Sequence, residues 1–377
     1  MKKLLFAILF IIISIGVFAN PYIKFPTINP PNIDGYITEW EGATKITTFL
    51  DLYSASLTKH KAYVWLGCDS DNIYLAYRFY KPTTPKASAT DRRDGAFWED
   101  DDFEFFFTPK NQNGFYQILT NATGNYRDVC GNGMANKPVN CEIAAHVSDK
   151  YNVSEDLEDL YWEGEMKIPF GEIGITDKDE ISFLILGSYQ LLGLSEYFVF
   201  CDGTNKVNAN IGDTSKWATL SFGSPVGIDF KNDYASDFSA TKDIKAIFTS
   251  DGVEFLSKDA KEVSEPLPKG SYVLKTEYYD GDALIYSNSL KCLNMKVITT
   301  NFENNILSCS FDFTAFKEPK VSMITLSQGE RVLAGGSYNN NKAFNEAWDM
   351  LNYPKGKYEL FVNVLGEYKE IITINKE

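Results

Sequence analysis

The sequence is short of histidine and of basic residues, and each shortage excludes a class of function. Only His60 and His146 occur among 377 residues, which excludes multi-histidine metal sites and argues against most histidine-dependent catalysis. Lys and Arg total 36 against 51 Asp and Glu, giving a net charge of −15. Because a nucleic-acid-binding protein needs a basic footprint, nucleic acid is not an expected partner.

Common catalytic motifs are also missing. The chain has no Gly-x-Ser-x-Gly, no Walker loop and no His-Glu-x-x-His. Acidic pairs are numerous, so a glycosidase with two carboxyl groups is the enzyme alternative. However, the five carboxylates crowded into residues 98–104 favour a calcium site or a hydrogen-bonding edge over an acid/base pair. We therefore expect a protein that is not an enzyme.

Long apolar runs are confined to the first residues. Residues 1–19 combine a cationic start, an apolar run and small residues before Asn20, which predicts a signal peptide, with an uncleaved membrane anchor as the alternative. The run does not end in a cysteine, so the lipoprotein signal is missing. No later stretch reaches the ~18 apolar residues that span a bilayer. We expect a protein that is secreted, or located in the periplasm or at the cell surface.

The six cysteines are even in number, which favours disulfides in an exported chain. Cys130 and Cys141 flank a loop rich in Gly, Asn and Pro. Cys292 and Cys309 lie on neighbouring strand-like runs. The remaining predicted pair is Cys68 with Cys201. Six buried thiols are the alternative, and the lack of a Cys-x-x-Cys motif gives no support to metal binding.

Nearly every segment is typical of a strand, so the predicted fold class is all-β. Short aromatic and β-branched runs are bounded by Asp-Asn, Asn-Gly and Asp-Gly, the pattern of a sandwich or barrel. A single short helical turn is predicted near residues 153–160. We predict an N-terminal antiparallel β-sandwich over residues 20–224, ending at the turn cluster Gly223-Ser224-Pro225.

A repeat follows this first region. Pro-Lys-Gly-x-Tyr-x-Leu occurs after Leu267 and again after Tyr353, 86 residues later, each time followed by a strand, a turn and a second strand. This spacing suits an immunoglobulin-like sandwich. We predict two smaller immunoglobulin-like β-sandwiches, at 225–297 and 298–377. A single all-β domain over both is the alternative.

Four segments in order carry a family resemblance: IDGYITEWEGA at 33–43, DSDNIYLAYRFY at 69–80, WEDDDFEFFFTP at 98–109 and WEGEMKIPFGEIG at 162–174. Together they resemble a family 9 carbohydrate-binding module, whose β-sandwich is shared with the DOMON-like group, over residues 27–223. The resemblance implies binding of plant polysaccharide ends or small sugars, often with structural calcium. Asp34, Asp69 and Asp71 are the candidate metal ligands, and turn formation is their alternative role.

The resemblance also indicates site residues. Trp98 and Glu104 match the tryptophan and glutamate of the family's W-x-x-D-x-x-E strand, where the indole stacks on sugar and the carboxylate accepts hydroxyl hydrogen bonds. Arg127 falls where the family has a sugar-contacting arginine. The further carbohydrate-binding candidates are Gln190, Asn210 and Trp217. The alternatives are a core role for Trp98 and Trp217, and for Glu104 a calcium ligand or an ion-pair partner of Arg127.

The function predicted from these observations is that of an exported, non-catalytic carbohydrate-binding protein. Its partner would be a plant-type polysaccharide or oligosaccharide, with cell-surface or enzyme partners for the C-terminal modules. One alternative is a structural or adhesive cell-envelope protein that keeps the sandwich without sugar binding. The other is a haem-binding DOMON-type module, for which Met134 and His146 are the nearest pair of axial ligands.

Overall fold

The computed structural model describes most of the chain after residue 19. The described residues are 20–53, 57–58, 60–81, 83–88, 95–109, 114–131, 138–149, 160–191, 194–200, 211–294, 297–314, 316, 320–329, 331–340, 342–364 and 368–376. The predicted signal peptide, the predicted helical turn near 153–160, Met134, Cys201 and Asn210 lie outside them.

Strands dominate the described residues, which confirms the predicted all-β class. Those of the first region are β1 (Tyr22–Pro26), β2 (Thr44–Ile46), β3 (Leu50–Asp51), β4 (Ala62–Cys68), β5 (Asn72–Tyr80), β6 (Asp102–Pro109), β7 (Phe115–Asn121), β8 (Tyr126–Gly131), β9 (Glu142–Val147), β10 (Tyr161–Pro169), β11 (Ile181–Leu191), β12 (Leu194–Phe200) and β13 (Ala218–Ser224). The helix α1 (Phe170–Ile173) and the 3-10 turns Phe97–Glu99 and Thr214–Lys216 complete this region.

The second and third regions are also built of strands. They are β14 (Ile228–Phe230), β15 (Asp237–Ser250), β16 (Val253–Ser264), β17 (Gly270–Asp280), β18 (Ala283–Asn294), β19 (Ile298–Glu303), β20 (Ile306–Asp312), β21 (Lys320–Gln328), β22 (Arg331–Asn340), β23 (Ala343–Asp349), β24 (Gly356–Val364) and β25 (Tyr368–Lys376).

The first region forms two facing layers. The front sheet runs β8-β7-β6-β11-β12-β3, and β13 continues it beside β11. The back sheet runs β9-β10-β5-β4-β2. Side chains alternate between the core and the outer face along each strand. Tyr77 of the back sheet stacks on Phe103 of the front sheet, with ring centroids 4.2 Å apart, and this contact crosses the core.

The segment after Pro225 is hydrogen-bonded to both layers. Strand β18 pairs antiparallel with β1, which itself lies parallel to β13 of the front sheet. Strand β14 pairs with β2 of the back sheet. Ile228, Phe230 and Tyr286 share one hydrophobic core with Ile23 and Ile46 of the first region. The predicted boundary at 224/225 therefore lies within continuous pairing and packing.

Residues 297–376 have a core of their own. A three-stranded sheet, β19-β20-β23, and a four-stranded sheet, β22-β21-β24-β25, supply its side chains. Leu307 and Phe311 come from the first sheet, and Ile324 and Leu360 from the second. This packing of two sheets is the arrangement that a small sandwich requires.

The Pro-Lys-Gly-x-Tyr repeat has the same local structure in both copies. Tyr272 donates a hydrogen bond from its hydroxyl to the carbonyl of Pro268, 3.0 Å away, and Tyr358 does the same to Pro354. The glycine before each tyrosine has a positive φ, 128° at Gly270 and 138° at Gly356. In both copies a hairpin follows, β17–β18 and β24–β25.

The structure does not show the predicted pairings Cys292–Cys309 and Cys68–Cys201. Cys292 and Cys309 are buried thiols in different hydrophobic cores, so their sulfurs face different partners. Cys68 is also a buried thiol, and its sulfur lies 3.5 Å from the carbonyl oxygen of Pro26. Its predicted partner Cys201 is outside the described residues.

The predicted Cys130–Cys141 bridge is not formed either. Cys130 lies on β8 and Cys141 directly precedes β9, and both are half-buried thiols. Each packs against the core of the first region, and the sulfur of Cys141 lies 3.9 Å from the carbonyl oxygen of Val139.

Candidate functional site

The 3-10 turn Phe97–Glu99 presents a tryptophan to solvent. Phe97 is fully buried and anchors the turn, while the next residue, Trp98, is 51% exposed. The strand β6 begins only at Asp102, so Trp98 is not part of it. The W-x-x-D-x-x-E motif is therefore divided between a turn and a strand, and the turn is what directs the indole outward.

The acidic run after Trp98 holds this turn in place. Asp100 accepts hydrogen bonds from the backbone and hydroxyl of Ser88 and from the side chain of Asn121. Asp101 forms an ion pair with Lys81 at 2.5 Å, and both side chains are almost fully buried. These two carboxylates accept hydrogen bonds from within the chain, as expected for a hydrogen-bonding edge.

A cleft of about 450 Å³ lies on the outer face of the front sheet, beside this turn. A row of four paired residues crosses its floor, in the order Leu186, Glu104, Leu119 and Arg127. Glu104 and Arg127 are two strands apart, and at the usual spacing their backbones are separated by roughly 10 Å. The described residues lining the cleft are Leu52, Tyr53, Trp98, Glu104, Gln117, Leu119, Arg127, Val129, Leu186, Tyr197 and Ile211.

Glu104 is the buried acceptor of the cleft. It is 5% exposed and accepts a hydrogen bond from the side-chain amide of Gln117. Burial raises its pKa to about 7. Asp102, two residues earlier on the same face, is fully buried, and its pKa is also raised, first by burial and then by Glu104. A carboxyl group that changes charge near neutral pH therefore lies at the floor of the cleft.

Arg127 packs on the exposed tryptophan. Its guanidinium carbon lies 5.0 Å from the ring centroid of Trp98, within the range of a cation–π contact. The same guanidinium donates a 3.2 Å hydrogen bond to the carbonyl of Gly95. These two contacts fix the indole and the cation relative to each other. The predicted residues Trp98, Glu104 and Arg127 are thus brought together in one cleft.

The opposite wall of the cleft contains two tyrosines that the sequence reasoning missed. Tyr53 is 57% exposed and meets Tyr197 edge to face, with ring centroids 6.3 Å apart. Tyr53 lies two residues after the end of the two-residue strand β3, and Tyr197 lies on β12, which pairs with β3. The signal available in the sequence was an aromatic residue placed after a short strand in a polar segment.

Two other predicted sugar-binding residues, Trp217 and Gln190, are not among the described residues that line this cleft. Trp217 is 1% exposed, donates a 2.9 Å hydrogen bond to the carbonyl of Ile211 and packs against Phe106, so it belongs to the core beneath the site. Gln190 lies on β11 and accepts a hydrogen bond from Ser195 through its side-chain oxygen. Both were wrong as residues of the cleft. Asn210 lies outside the described residues.

The three candidate metal ligands each accept hydrogen bonds from within the chain. Asp34 accepts hydrogen bonds from the backbone of Tyr36 and the side chain of Asn32, as in a turn. Asp69 accepts hydrogen bonds from the hydroxyl of Tyr74 and from the backbone N–H groups of Asp71 and Asn72.

Hydrogen bonds to Tyr74, Asp71 and Asn72 outweigh burial and lower the pKa of Asp69. Asp71 itself accepts a 2.7 Å hydrogen bond from the hydroxyl of Ser70. No group of three His, Cys, Asp or Glu side chains that fits a metal occurs in the described part of the chain. Structural calcium and its candidate ligands at these three aspartates stay predictions.

Two other sequence-based expectations concern residues away from the cleft. His146, a candidate axial ligand, lies on β9, and Tyr36 packs on it with ring centroids 4.3 Å apart. The other candidate, Met134, is not among the described residues.

Over the ranges that the structure describes, no helix has both the length and the apolar character needed to cross a membrane.

Comparison with known proteins gives a likeness only at the level of structure. No family model and no curated protein matches the sequence. One similar structure is a candidate carbohydrate-binding protein from Bacteroides uniformis ATCC 8492, at 15% identity and a TM-score of 0.42, covering 53% of this chain and 97% of that chain.

Two more are family 9 carbohydrate-binding modules from Caldicellulosiruptor kristjanssonii. One, in complex with cellotriose, has 14% identity, a TM-score of 0.37 and coverage of 53% and 93% of the two chains. The other, in complex with glucose, has 13% identity, a TM-score of 0.36 and coverage of 53% and 95%. The likeness is distant in both sequence and structure, so the site described above rests on the residues of this chain alone.

Proposed function

We propose that this protein is an exported, non-catalytic carbohydrate-binding protein that recognises plant-type polysaccharides or their oligosaccharides in the cleft beside Trp98. The observation that carries the proposal is a half-exposed indole at the mouth of a cleft whose floor holds a carboxyl acceptor and a guanidinium. A sugar ring has an apolar C–H face and a rim of hydroxyls. An aromatic ring covers such a face, and charged groups bind such a rim through directional hydrogen bonds.

Each wall of the cleft has a separate role in this proposal. Trp98 and Tyr53 provide aromatic surface on opposite sides. Glu104 and Gln117 accept and donate hydrogen bonds at the floor, and Arg127 supplies donors from the edge. The apolar residues between them, such as Leu119 and Leu186, exclude water from these hydrogen bonds and so strengthen them.

The arrangement favours binding over hydrolysis. Glycoside hydrolysis normally needs two carboxyl groups on either side of the scissile bond. Among the described residues that line the cleft, Glu104 is the only carboxylate. Its neighbour Asp102 is fully buried, on the same strand and not across the cleft. The proposal is therefore for a binding protein without catalysis.

Removal of the indole tests the proposal. A glycan array of neutral and acidic plant oligosaccharides identifies the ligand, and calorimetry then compares the parent protein with Trp98→Ala. We expect a loss of about 1–3 kcal/mol of binding free energy from lost apolar burial, or roughly tenfold or more in affinity. Circular dichroism should show an unchanged fold.

A matched control is available in the loop between β1 and β2, beside the back sheet. Tyr36 is 49% exposed, nearly the same fraction as Trp98, and does not line the cleft. Tyr36→Ala should leave sugar affinity unchanged. Equal affinity in Trp98→Ala and the parent would show that the cleft is not the site, and unfolding of Trp98→Ala would show that the residue is structural.

A further inference from the structure

The outer face of the back sheet carries a second cluster of half-exposed aromatic side chains. Tyr63 and Trp65 alternate on β4, Arg78 and Tyr80 on β5, and Tyr161 begins β10. The register pairs Tyr63 with Arg78 and Tyr80 with Tyr161, so these side chains share one face. This face is opposite the one that bears the cleft.

Cations are inserted between these rings. The ammonium of Lys61 lies 4.3 Å from the ring centroid of Tyr80 and 5.8 Å from that of Tyr63. The guanidinium of Arg78 lies 4.5 Å from the ring of Tyr161 and 5.9 Å from that of Trp65. We call these six residues (Lys61, Tyr63, Trp65, Arg78, Tyr80 and Tyr161) the ladder.

The ladder continues into a groove of about 410 Å³. Trp65 belongs to both, and Lys45, which lies 5.1 Å from the ring centroid of Tyr63, lines the groove as well. The far wall comes from the segment after Pro225 and includes Thr241 and Lys261. Ring surface, cations and a concave channel are therefore continuous across this side of the molecule.

The charge of this surface opposes that of the whole chain. Arg78 is paired with the buried Glu163 at 2.6 Å, and Lys45 with Asp229 at 2.5 Å. Lys61 and Lys261 are exposed, and no carboxylate of the described residues lies within ion-pair distance of either. Glu41 also lines the groove, so this surface carries four cations (Lys45, Lys61, Arg78 and Lys261) against three carboxylates (Glu41, Glu163 and Asp229). In a chain of net charge −15, this small cationic excess among aromatic rings is complementary to an anionic ligand that also has flat apolar faces.

We propose that the ladder and its groove form a second binding surface, for an anionic polysaccharide whose sugar rings carry carboxylates. The rings hold the two ladder cations in place, so that their remaining N–H donors are available to carboxylates of the ligand. The aromatic surfaces between the cations contact the C–H faces of the sugars. The proposal does not rest on sugar binding in the cleft, because the two surfaces are on opposite sheets.

Polygalacturonate is the probe that tests this proposal, and its fully methyl-esterified form is the control without charge. Biolayer interferometry on the whole protein should show binding to polygalacturonate that weakens with added salt, and much weaker binding to the ester. Polyglutamate, a polyanion without sugar rings, should also bind more weakly. Absent binding to polygalacturonate, or equal binding to either control polymer, would overturn the proposal.

Two variants assign the binding to the ladder. Lys61→Glu replaces one attraction by one repulsion and should weaken binding by about tenfold or more. Lys178→Glu makes the same change of net charge at an exposed lysine in the turn before β11, and should have little effect. Equal weakening by both variants would show a response to net charge alone and would overturn the proposal.

The variant Trp98→Ala, which changes the cleft, distinguishes this proposal from the proposed function. Trp98→Ala should keep the binding to polygalacturonate, whatever the cleft itself binds. Tyr80→Ala should weaken it, because Tyr80 contacts both Lys61 and Tyr161. If Trp98→Ala abolishes binding to polygalacturonate and Tyr80→Ala does not, the acidic polymer binds in the cleft and the ladder proposal is wrong.

Discussion

At the scale of single residues, Glu104 at the floor of the cleft and its buried neighbour Asp102 make the stability of this protein depend on pH. Glu104 has an ordinary pKa of 4.5 and a folded value of about 7, and the pKa of Asp102 is raised as well. Between pH 4.5 and about pH 7, Glu104 therefore binds more protons in the folded state than in the unfolded state. Stability is highest below the unfolded pKa and falls as pH rises through the folded one.

The loss of stability with rising pH gives the first prediction. The melting temperature of the parent protein should fall between pH 5 and pH 8 at constant ionic strength. Glu104→Gln should flatten the change and raise the melting temperature at pH 8, because the amide carries no charge to desolvate; one pKa unit corresponds to about 1.4 kcal/mol. Thermal unfolding of both proteins at four pH values measures the effect. Parallel curves would contradict the assignment to Glu104.

Tyr53 gives the second prediction at this scale. If its ring is one wall of a sugar site, Tyr53→Ala should reduce affinity by roughly tenfold, whereas Tyr53→Phe keeps the ring and should lose much less. Calorimetry with the oligosaccharide found on the array measures both variants. Equal losses in the two variants would mean that the hydroxyl, rather than the ring, makes the contact.

These residues also show how far the sequence predicts the site. Trp98, Glu104 and Arg127 were identified because a spaced motif survives in the sequence. Trp217 was misassigned because the sequence around a tryptophan that precedes a strand does not show whether its side chain faces the core or the solvent. Tyr53 was missed because its position depends on the pairing of β3 with β12, which brings together residues about 150 positions apart in the chain.

At the scale of elements, the repeated corner before β17 and β24 is the clearest case of a sequence pattern that specifies a local structure. Pro, Gly and Tyr at fixed spacing give a glycine with positive φ and a tyrosine hydroxyl bound to the proline carbonyl in both copies. Because the pattern is local, its geometry was predictable. The disulfides were not, because their formation depends on contacts distant in sequence.

The corner gives the third prediction. Tyr358→Phe removes the hydrogen bond to Pro354 and should lower the free energy of unfolding by about 0.5–1.5 kcal/mol, with Tyr272→Phe costing a similar amount at Pro268. Urea denaturation of the whole protein measures the loss. Tyr36→Phe, at a half-exposed tyrosine in the loop between β1 and β2, is the control. A loss no larger than that of the control would show that the hydroxyls do not stabilise the corner.

At the scale of the whole molecule, the segment that joins the sandwich to the rest is the feature that matters. The sequence predicted a module boundary at 224/225 because a Gly-Ser-Pro turn follows β13. In the structure β18 and β14 extend the pairing of both layers, and a side chain at Gly227 would collide with the carbonyl oxygen of Gly42. Turn residues mark where a chain changes direction, and do not report which strands pair afterwards.

The last prediction follows from this packing and concerns truncation. A protein of residues 20–294 keeps the shared core and should melt near the temperature of the corresponding transition in the full chain. A protein of residues 20–224 leaves Ile23 and Ile46 without the side chains of Phe230 and Tyr286, so it should melt lower and bind an apolar dye. Calorimetry and dye fluorescence compare the two. Equal melting temperatures would show that residues 20–224 fold independently, as the boundary at 224/225 implies, and that the paired strands after Pro225 add no stability to the sandwich.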